Sequence, residues 1–242
     1  MTFHCGRLLF SGSILYGIVN PSGKLAETIP VKLADNPSYL NFGGGDKVEY
    51  REGVFVGYRY YDTFGVDVSY PFGYGGSYTS FAMSTKSVKA DKDKVTVQVK
   101  VKNTGTVSGK EVAEVYFSAL DGELDKPHQE LAGYAKTDEL APGESQILTI
   151  SFDTKEMGSY DTDKAAYVME DGDYIIRVGN SSRNTHVAAK LNVAEDTITE
   201  QYSNLMVPVT ENDNIENSDK YPTLEPMTTE GATPITYDGE AN

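Results

Sequence analysis

From residue 81 onward the chain is organised by alternation. Val95, Val97, Val99 and Val101 fall on one face while Thr96, Gln98, Lys100 and Lys102 fall on the other, the period of two that marks a half-buried antiparallel strand. Asn103, Thr104 and Gly105 end that run. Further apolar runs follow at Val112–Phe117, Leu131–Ala135, Ile147–Phe152, Tyr174–Val178 and Val187–Val193. They are separated by turn-forming groups such as Ala141-Pro142-Gly143-Glu144 and Glu170-Asp171-Gly172-Asp173. Short strands at this spacing, with no competing helical period, predict a two-layer β-sandwich.

Upstream, Tyr50 to Phe81 is dominated by rings and glycines. Val54 to Tyr61 reads as a short buried strand, and Tyr70-Pro71-Phe72-Gly73-Tyr74-Gly75-Gly76-Ser77-Tyr78 as an irregular packed connection, a hinge filled with rings or a ligand platform. Phe72 and Tyr74 are expected to be buried there, with Gly73 or Gly75 in a backbone conformation closed to other residues. Earlier still, Asn20-Pro21-Ser22-Gly23 is turn chemistry, Thr28 to Val31 an extended segment, and Asp35 to Asp46 a glycine-rich loop. After Val193 the alternation stops. Residues 197–242 are rich in Thr, Glu, Asp, Asn and Pro, the composition of a mobile tail or linker.

Composition removes several classes of partner. The chain has 242 residues and a net charge of -15, from 21 Lys plus Arg against 36 Asp plus Glu, so its long-range field repels nucleic acid and anionic membrane. No run is long and apolar enough to span a bilayer. The apolar residues between Leu8 and Tyr16 are interrupted by Ser11, Gly12 and Ser13 and lack a cleavage pattern, which argues against a secretory signal. With a single cysteine, Cys5, no internal disulfide is possible, and the location read from the sequence is cytoplasmic in preference to secreted. Histidine is scarce: His4, His128 and His186.

Three separated motifs add what periodicity cannot. Asn20-Pro21-Ser22-Gly23-Lys24-Leu25, then Glu52-Gly53 with Val56 to Asp62, then Pro71-Phe72-Gly73-Tyr74-Gly75 with Ser77, Tyr78 and Thr79, resemble the end of the second domain of glycoside hydrolase family 3, the β-glucosidases and related exo-glycosidases. The resemblance continues through Asn103-Thr104-Gly105, Gly109, Glu111, Val112, Glu130, Leu131, Gly133, Tyr134, Pro142, Gly143 and Gly172 to Ser182. That stretch is similar to the family's fibronectin type III-like domain. It covers about residues 14–193; residues 1–13 do not match, and Gly76 stands where a leucine is usual.

The resemblance implies a mainly β fold: a fibronectin type III-like β-sandwich at 81–196, preceded at 1–80 by the remnant of an α/β sandwich domain, and followed at 197–242 by a disordered tail. It also implies a chain that begins mid-domain, or one from a subgroup in which the barrel follows the sandwich. Functionally it implies the non-catalytic portion of a β-glucosidase. The partners are then the missing catalytic barrel and, for the complete enzyme, β-linked glucosides. The alternative is an independent carbohydrate-binding or adhesive module, for which 17 Tyr but no Trp are available.

Retaining glycosidases need two carboxyl groups about 5 to 5.5 Å apart, one as nucleophile and one as acid/base. The resemblance places the nucleophile in the barrel and the acid/base in a motif upstream of Asn20, so neither lies in this chain. Glu52, Glu49 and Asp62 are the remaining candidates for a pair, but Glu52 aligns with a structural Glu-Gly. Arg59 reads as an ion-pair or stacking residue, with Asp62, Glu52, Tyr58 or Tyr61 as partner. His128 reads as a solvated loop residue, and Cys5 lacks a paired histidine. No catalytic, cofactor-binding or metal-ligating residue is assigned, and the chain is expected to be inactive alone.

Overall fold

The computed structural model describes residues 11–43, 46–119, 121–205, 207, 214–216 and 233–236. In chain order they form β1 (Ile29–Pro30), the short helix α1 (Tyr58–Thr63), β2 (Val68–Tyr70), β3 (Phe81–Ala90), β4 (Lys94–Asn103), β5 (Val112–Ala119) and β6 (Glu130–Lys136). There follow β7 (Ser145–Asp153), β8 (Ser159–Asp161), β9 (Ala166–Met169), β10 (Gly172–Ser181), β11 (Asn184–Val193), β12 (Thr197–Gln201) and β13 (Thr233–Thr236). β3, β4 and β7 make one sheet with β4 at its centre; the facing sheet runs β13-β11-β10-β5-β6. Two small sheets, β12-β9-β8 and β1-β2, complete the set.

The alternation of β4 is realised as expected. Its four valines are fully buried, and register sets Val97 between Val88 of β3 and Ile150 of β7. Val115, Phe117, Ile176, Val178 and Leu191 of the facing sheet close the core over them. Each such side chain contributes roughly 1.5 to 3 kcal/mol of burial, so this layer holds the sandwich together without disulfides.

At the end of β4, Asn103 is fully buried, and both atoms of its amide are used twice. Nδ2 donates to the carbonyls of Val107 and Leu140, each at 2.8 Å, and Oδ1 accepts from the Gly105 N–H at 3.0 Å and the Thr79 hydroxyl at 2.8 Å. A side chain at Gly105 would collide with Thr79 and the backbone of Ser80. The Asn-Thr-Gly motif is therefore a knot that ties the β4 exit to the strand entry at residues 79–80. At residues 141–144 the expected turn is present: Gly143 has a φ of +84°, and the Glu144 N–H donates to the Ala141 carbonyl at 2.9 Å.

Two expectations need correction. Val54 to Tyr61 is not a strand: Gly57, at a φ of +59°, turns the chain into α1, whose Tyr60 and Tyr61 join Phe55 and Phe64 in a small aromatic core of its own. Ring-rich composition favours strands, but here Tyr60 and Phe64 stand one helical turn apart, and the helix brings their rings together in a tilted contact at 5.2 Å. Second, the tail expected from residue 197 begins as structure. Thr197–Gln201 pairs with β9, and Thr233–Thr236 pairs in parallel with β11. Most of the remaining tail, with Met1 to Phe10, lies outside the described residues.

Candidate functional site

The three upstream motifs, distant in sequence, meet on the outer face of the five-stranded sheet. This explains a departure from alternation: β5 is buried on both faces from Val112 to Ser118, the inner face by the core and the outer face by the incoming chain. Tyr116 is the centre of the outer face and is fully buried. The ring of Tyr58, on α1, stands edge-on to it at 6.1 Å and stacks on Phe72 at 4.7 Å. The Tyr58 hydroxyl accepts the N–H of Leu131 on β6 at 2.8 Å. Burial pushes the Tyr58 phenol above the usual range, so it stays protonated.

Charged ties surround this aromatic contact. Arg59 pairs with Glu130 of β6 at 2.8 Å, not with Asp62 or Glu52. Burial pushes the Glu130 carboxyl up while the Arg59 guanidinium opposes that shift. Asp62 is 1% exposed and accepts from Nε of Arg183 at 2.8 Å. The same guanidinium donates through Nη2 to the carbonyls of Tyr61 at 3.1 Å and Val66 at 2.7 Å, closing the loop after α1 onto the β10–β11 turn. A backbone bond from Ser182 N–H to the Phe72 carbonyl, at 2.9 Å, lies beside it.

The first and third motifs fasten the other end. Lys24 pairs with Glu111 at 2.8 Å and donates to the Asn180 carbonyl at 3.0 Å. Asn20 donates to the Ser108 carbonyl at 3.0 Å and accepts the Tyr78 N–H at 2.9 Å. Leu25 exchanges backbone bonds with Gly73 and Tyr74, each at 2.8 Å. Gly73 is the position closed to other residues: its φ is +79°, and a side chain there would enter the Glu114 carboxylate. Glu114 is itself buried, which pushes its carboxyl up, and it accepts the Tyr116 hydroxyl at 2.6 Å. Of the two rings expected to be buried, Phe72 is half-buried, whereas Tyr74 is 44% exposed against Tyr70. Gly76 faces open space.

The candidate catalytic carboxylates are not brought together as a pair. Asp62 is held by Arg183, Glu52 is half-buried at the entry to the aromatic core, and Glu49 is exposed. The expectation of a solvated His128 is also corrected. The residue is half-buried, its N–H donates to the Thr63 hydroxyl at 2.8 Å, and burial beside Arg177 lowers its imidazole pKa, keeping the ring neutral. His186 bonds with the Thr85 hydroxyl at 3.1 Å, and Cys5 and His4 lie outside the described residues. Arg183 and the buried pair Lys126–Glu170, which fixes the loop between β5 and β6, were missed in the sequence. A lone arginine following Ser181-Ser182 carries no signal of a partner 121 residues away.

Residues 111–182 match the fibronectin type III-like domain family. Over 176 residues the chain is 47% identical to thermostable β-glucosidase B of Acetivibrio thermocellus, an alignment covering 71% of this chain and 23% of that protein. A solved β-glucosidase from Paenibacillus barengoltzii superposes with a TM-score of 0.76 at 44% identity, covering 80% of this chain and 22% of that one. The GH3 β-glucosidase of Bifidobacterium adolescentis does so with a TM-score of 0.70 at 36% identity, covering 83% and 29%. The chain spans about a quarter of the length of the curated relatives it matches.

Proposed function

Because the chain carries the end of the second α/β sandwich domain and the fibronectin type III-like domain of glycoside hydrolase family 3, we propose that it is the non-catalytic portion of a β-glucosidase, bracing the domains that hydrolyse the glycosidic bond. The substrates of the complete enzyme are β-linked glucosides. Its barrel supplies the nucleophile, and the missing part of the second domain supplies the acid/base. The contribution of this chain is positional: a rigid sandwich holds the last segment of the second domain through Tyr58, Arg59, Asp62 and Lys24, and that segment in turn meets the catalytic domains.

One observation carries this reading. The segment tied down so closely on its sandwich side turns large apolar side chains to solvent on the other, with Leu40 94%, Tyr16 85% and Phe42 84% exposed. Side chains of this kind are covered in a complete domain. The cover we assign is a protein surface, that of the catalytic domains which this segment adjoins in the solved β-glucosidases it resembles.

The test has two arms. The purified chain, assayed on aryl β-glucosides, should match the buffer blank; turnover abolished by Glu52→Gln or Asp62→Asn would instead make those residues catalysts. Grafted in place of the matching region of the Paenibacillus barengoltzii β-glucosidase, residues 14–193 should support activity. An active graft that is indifferent to Arg183→Ala and Tyr58→Ala together would remove the bracing role.

A further inference from the structure

Without β13 the second sheet would end in β11, a ten-residue strand with its outer edge unpaired. Long bare edges recruit extended peptides, their own or another chain's. Here the edge is occupied. Thr233–Thr236 lies parallel to β11, with Ala189 opposite Thr233, Lys190 opposite Pro234, Leu191 opposite Ile235 and Asn192 opposite Thr236. We propose that the outer edge of β11 is a strand-docking site whose ligand is this chain's own segment Thr233–Thr236, an edge cap delivered by the tail.

The register fits the residue types. In a parallel ladder only alternate residues of the added strand bond to the neighbour. Pro234 has no N–H, so at its step the bonds run from the Lys190 N–H to the Thr233 carbonyl and from the Ile235 N–H to the Lys190 carbonyl. Proline then sits where an edge strand tolerates it, facing away from the ladder. Thr233 also lines a groove between β3 and β11, beside Met83, Thr85, Val88, His186 and Ala188, so the cap enters at the open side of the sandwich. The docking strand is short, and the sequence around it carries no charge from Ala232 to Tyr237, between Glu230 and Asp238. Its affinity comes from backbone bonds, as in other strand additions. The 31 residues between Gln201 and Thr233 can extend to about 100 Å, more than the closure requires. This inference is independent of any role in glycoside hydrolysis.

The experiment compares the full chain with Ile235→Pro, which removes the one N–H that the tail must direct at Lys190, and with Pro234→Ala, which removes nothing the ladder uses. Amide hydrogen exchange at Lys190 and Asn192 should be at least tenfold faster in Ile235→Pro than in the unaltered chain and unchanged in Pro234→Ala. The amides of Ala189 and Leu191, which face β10, should exchange alike in all three and so report that the sandwich is folded. A fluorescent peptide of residues 229–240 should bind Ile235→Pro at least tenfold more tightly than the unaltered chain, whose edge is already filled. Equal exchange at Lys190 and Asn192 in the unaltered chain and Ile235→Pro, or equal peptide binding by the two, would overturn the proposal.

Discussion

Arg183 Nε donates to Asp62 Oδ1 at 2.8 Å across 121 residues of chain, and the carboxylate it meets is 1% exposed. One guanidinium thereby joins the β10–β11 turn to α1 and, through the carbonyls of Tyr61 and Val66, to the loop that follows. Removing the arginine strands a buried charge. Arg183→Ala should cost about 3 to 5 kcal/mol of the stability of the docked segment, read by the urea dependence of amide hydrogen exchange in α1 or by proteolysis within residues 46–72. Arg183→Lys, which cannot fork across three acceptors, should recover only a minor part. A loss below ~1 kcal/mol would mean that the segment docks without this clamp.

Asn103 makes a sharper case for the sandwich itself. Its amide bonds four groups, and Asn103→Leu keeps the branched shape but removes all four bonds: the Leu140 carbonyl retains the Gly109 N–H and the Gly105 N–H retains the Ser80 carbonyl, while the Val107 carbonyl and the Thr79 hydroxyl lose the partner that Asn103 supplies. A loss of about 2 to 4 kcal/mol is expected, measured as a shift in the denaturation midpoint. Asn103→Asp should fare no better, because an ionised carboxylate cannot donate to the carbonyls of Val107 and Leu140.

Val97→Asp places an unpaired charge between Val88 and Ile150 in the fully buried layer of β4. The expected loss exceeds ~4 kcal/mol, enough to unfold a domain of ordinary stability. The near-isosteric Val97→Thr should fold with a reduced melting temperature, and a soluble, cooperatively melting Val97→Asp would show that the strand alternation had been misassigned.

The third sheet predicts where the sandwich ends. A chain cut after Val193 loses the pairing of β12 with β9 and the bond from Tyr202 N–H to the Ala165 carbonyl at 2.8 Å. It should melt several degrees below a chain cut after residue 205, by differential scanning calorimetry. Equal melting temperatures would make β12 an ornament of the fold.

Glu130 provides a pH handle. Burial raises its carboxyl in the folded state above the ordinary value of 4.5, so the folded state holds the proton more tightly than the unfolded one. Its favourable contribution is complete below the unfolded value and is lost as pH rises through the folded one. Glu130→Gln removes that term. In the mutant, stability measured upward from pH ~4.5 should fall less steeply, or rise more steeply, by at most ~1.4 kcal/mol per pH unit. Parallel profiles would show that Glu130 titrates as if exposed.

The sequence disclosed the sandwich well and its fastening poorly, for one physical reason. Val95 to Val101 announce a strand because the information is local: each side chain's neighbours two positions away specify its face. Arg59 offered Asp62 and Glu52 as partners for the same reason, since both are near in sequence. The structure pairs it with Glu130 instead, and Asp62 with Arg183, contacts that no local pattern encodes. The run Val54 to Tyr61 failed differently. Its aromatic content signals a strand, while Gly57 and the one-turn spacing of Tyr60 and Phe64 favour a helix, and packing decided for the helix. Gly73 was legible because glycine's tolerance of positive φ is a property of the residue itself.

The Asp62–Arg183 tie also has a consequence in time. On a ribosome adding roughly 5 to 20 residues per second, Arg183 emerges some 6 to 24 s after Asp62, given the 121 positions between them. Throughout that interval α1 has no β10–β11 turn to dock on, and its carboxylate remains in water. The earlier part of the polypeptide is thus completed by the later part. Docking of α1 becomes a report, written in the chain's own order of synthesis, that the sandwich behind it has closed.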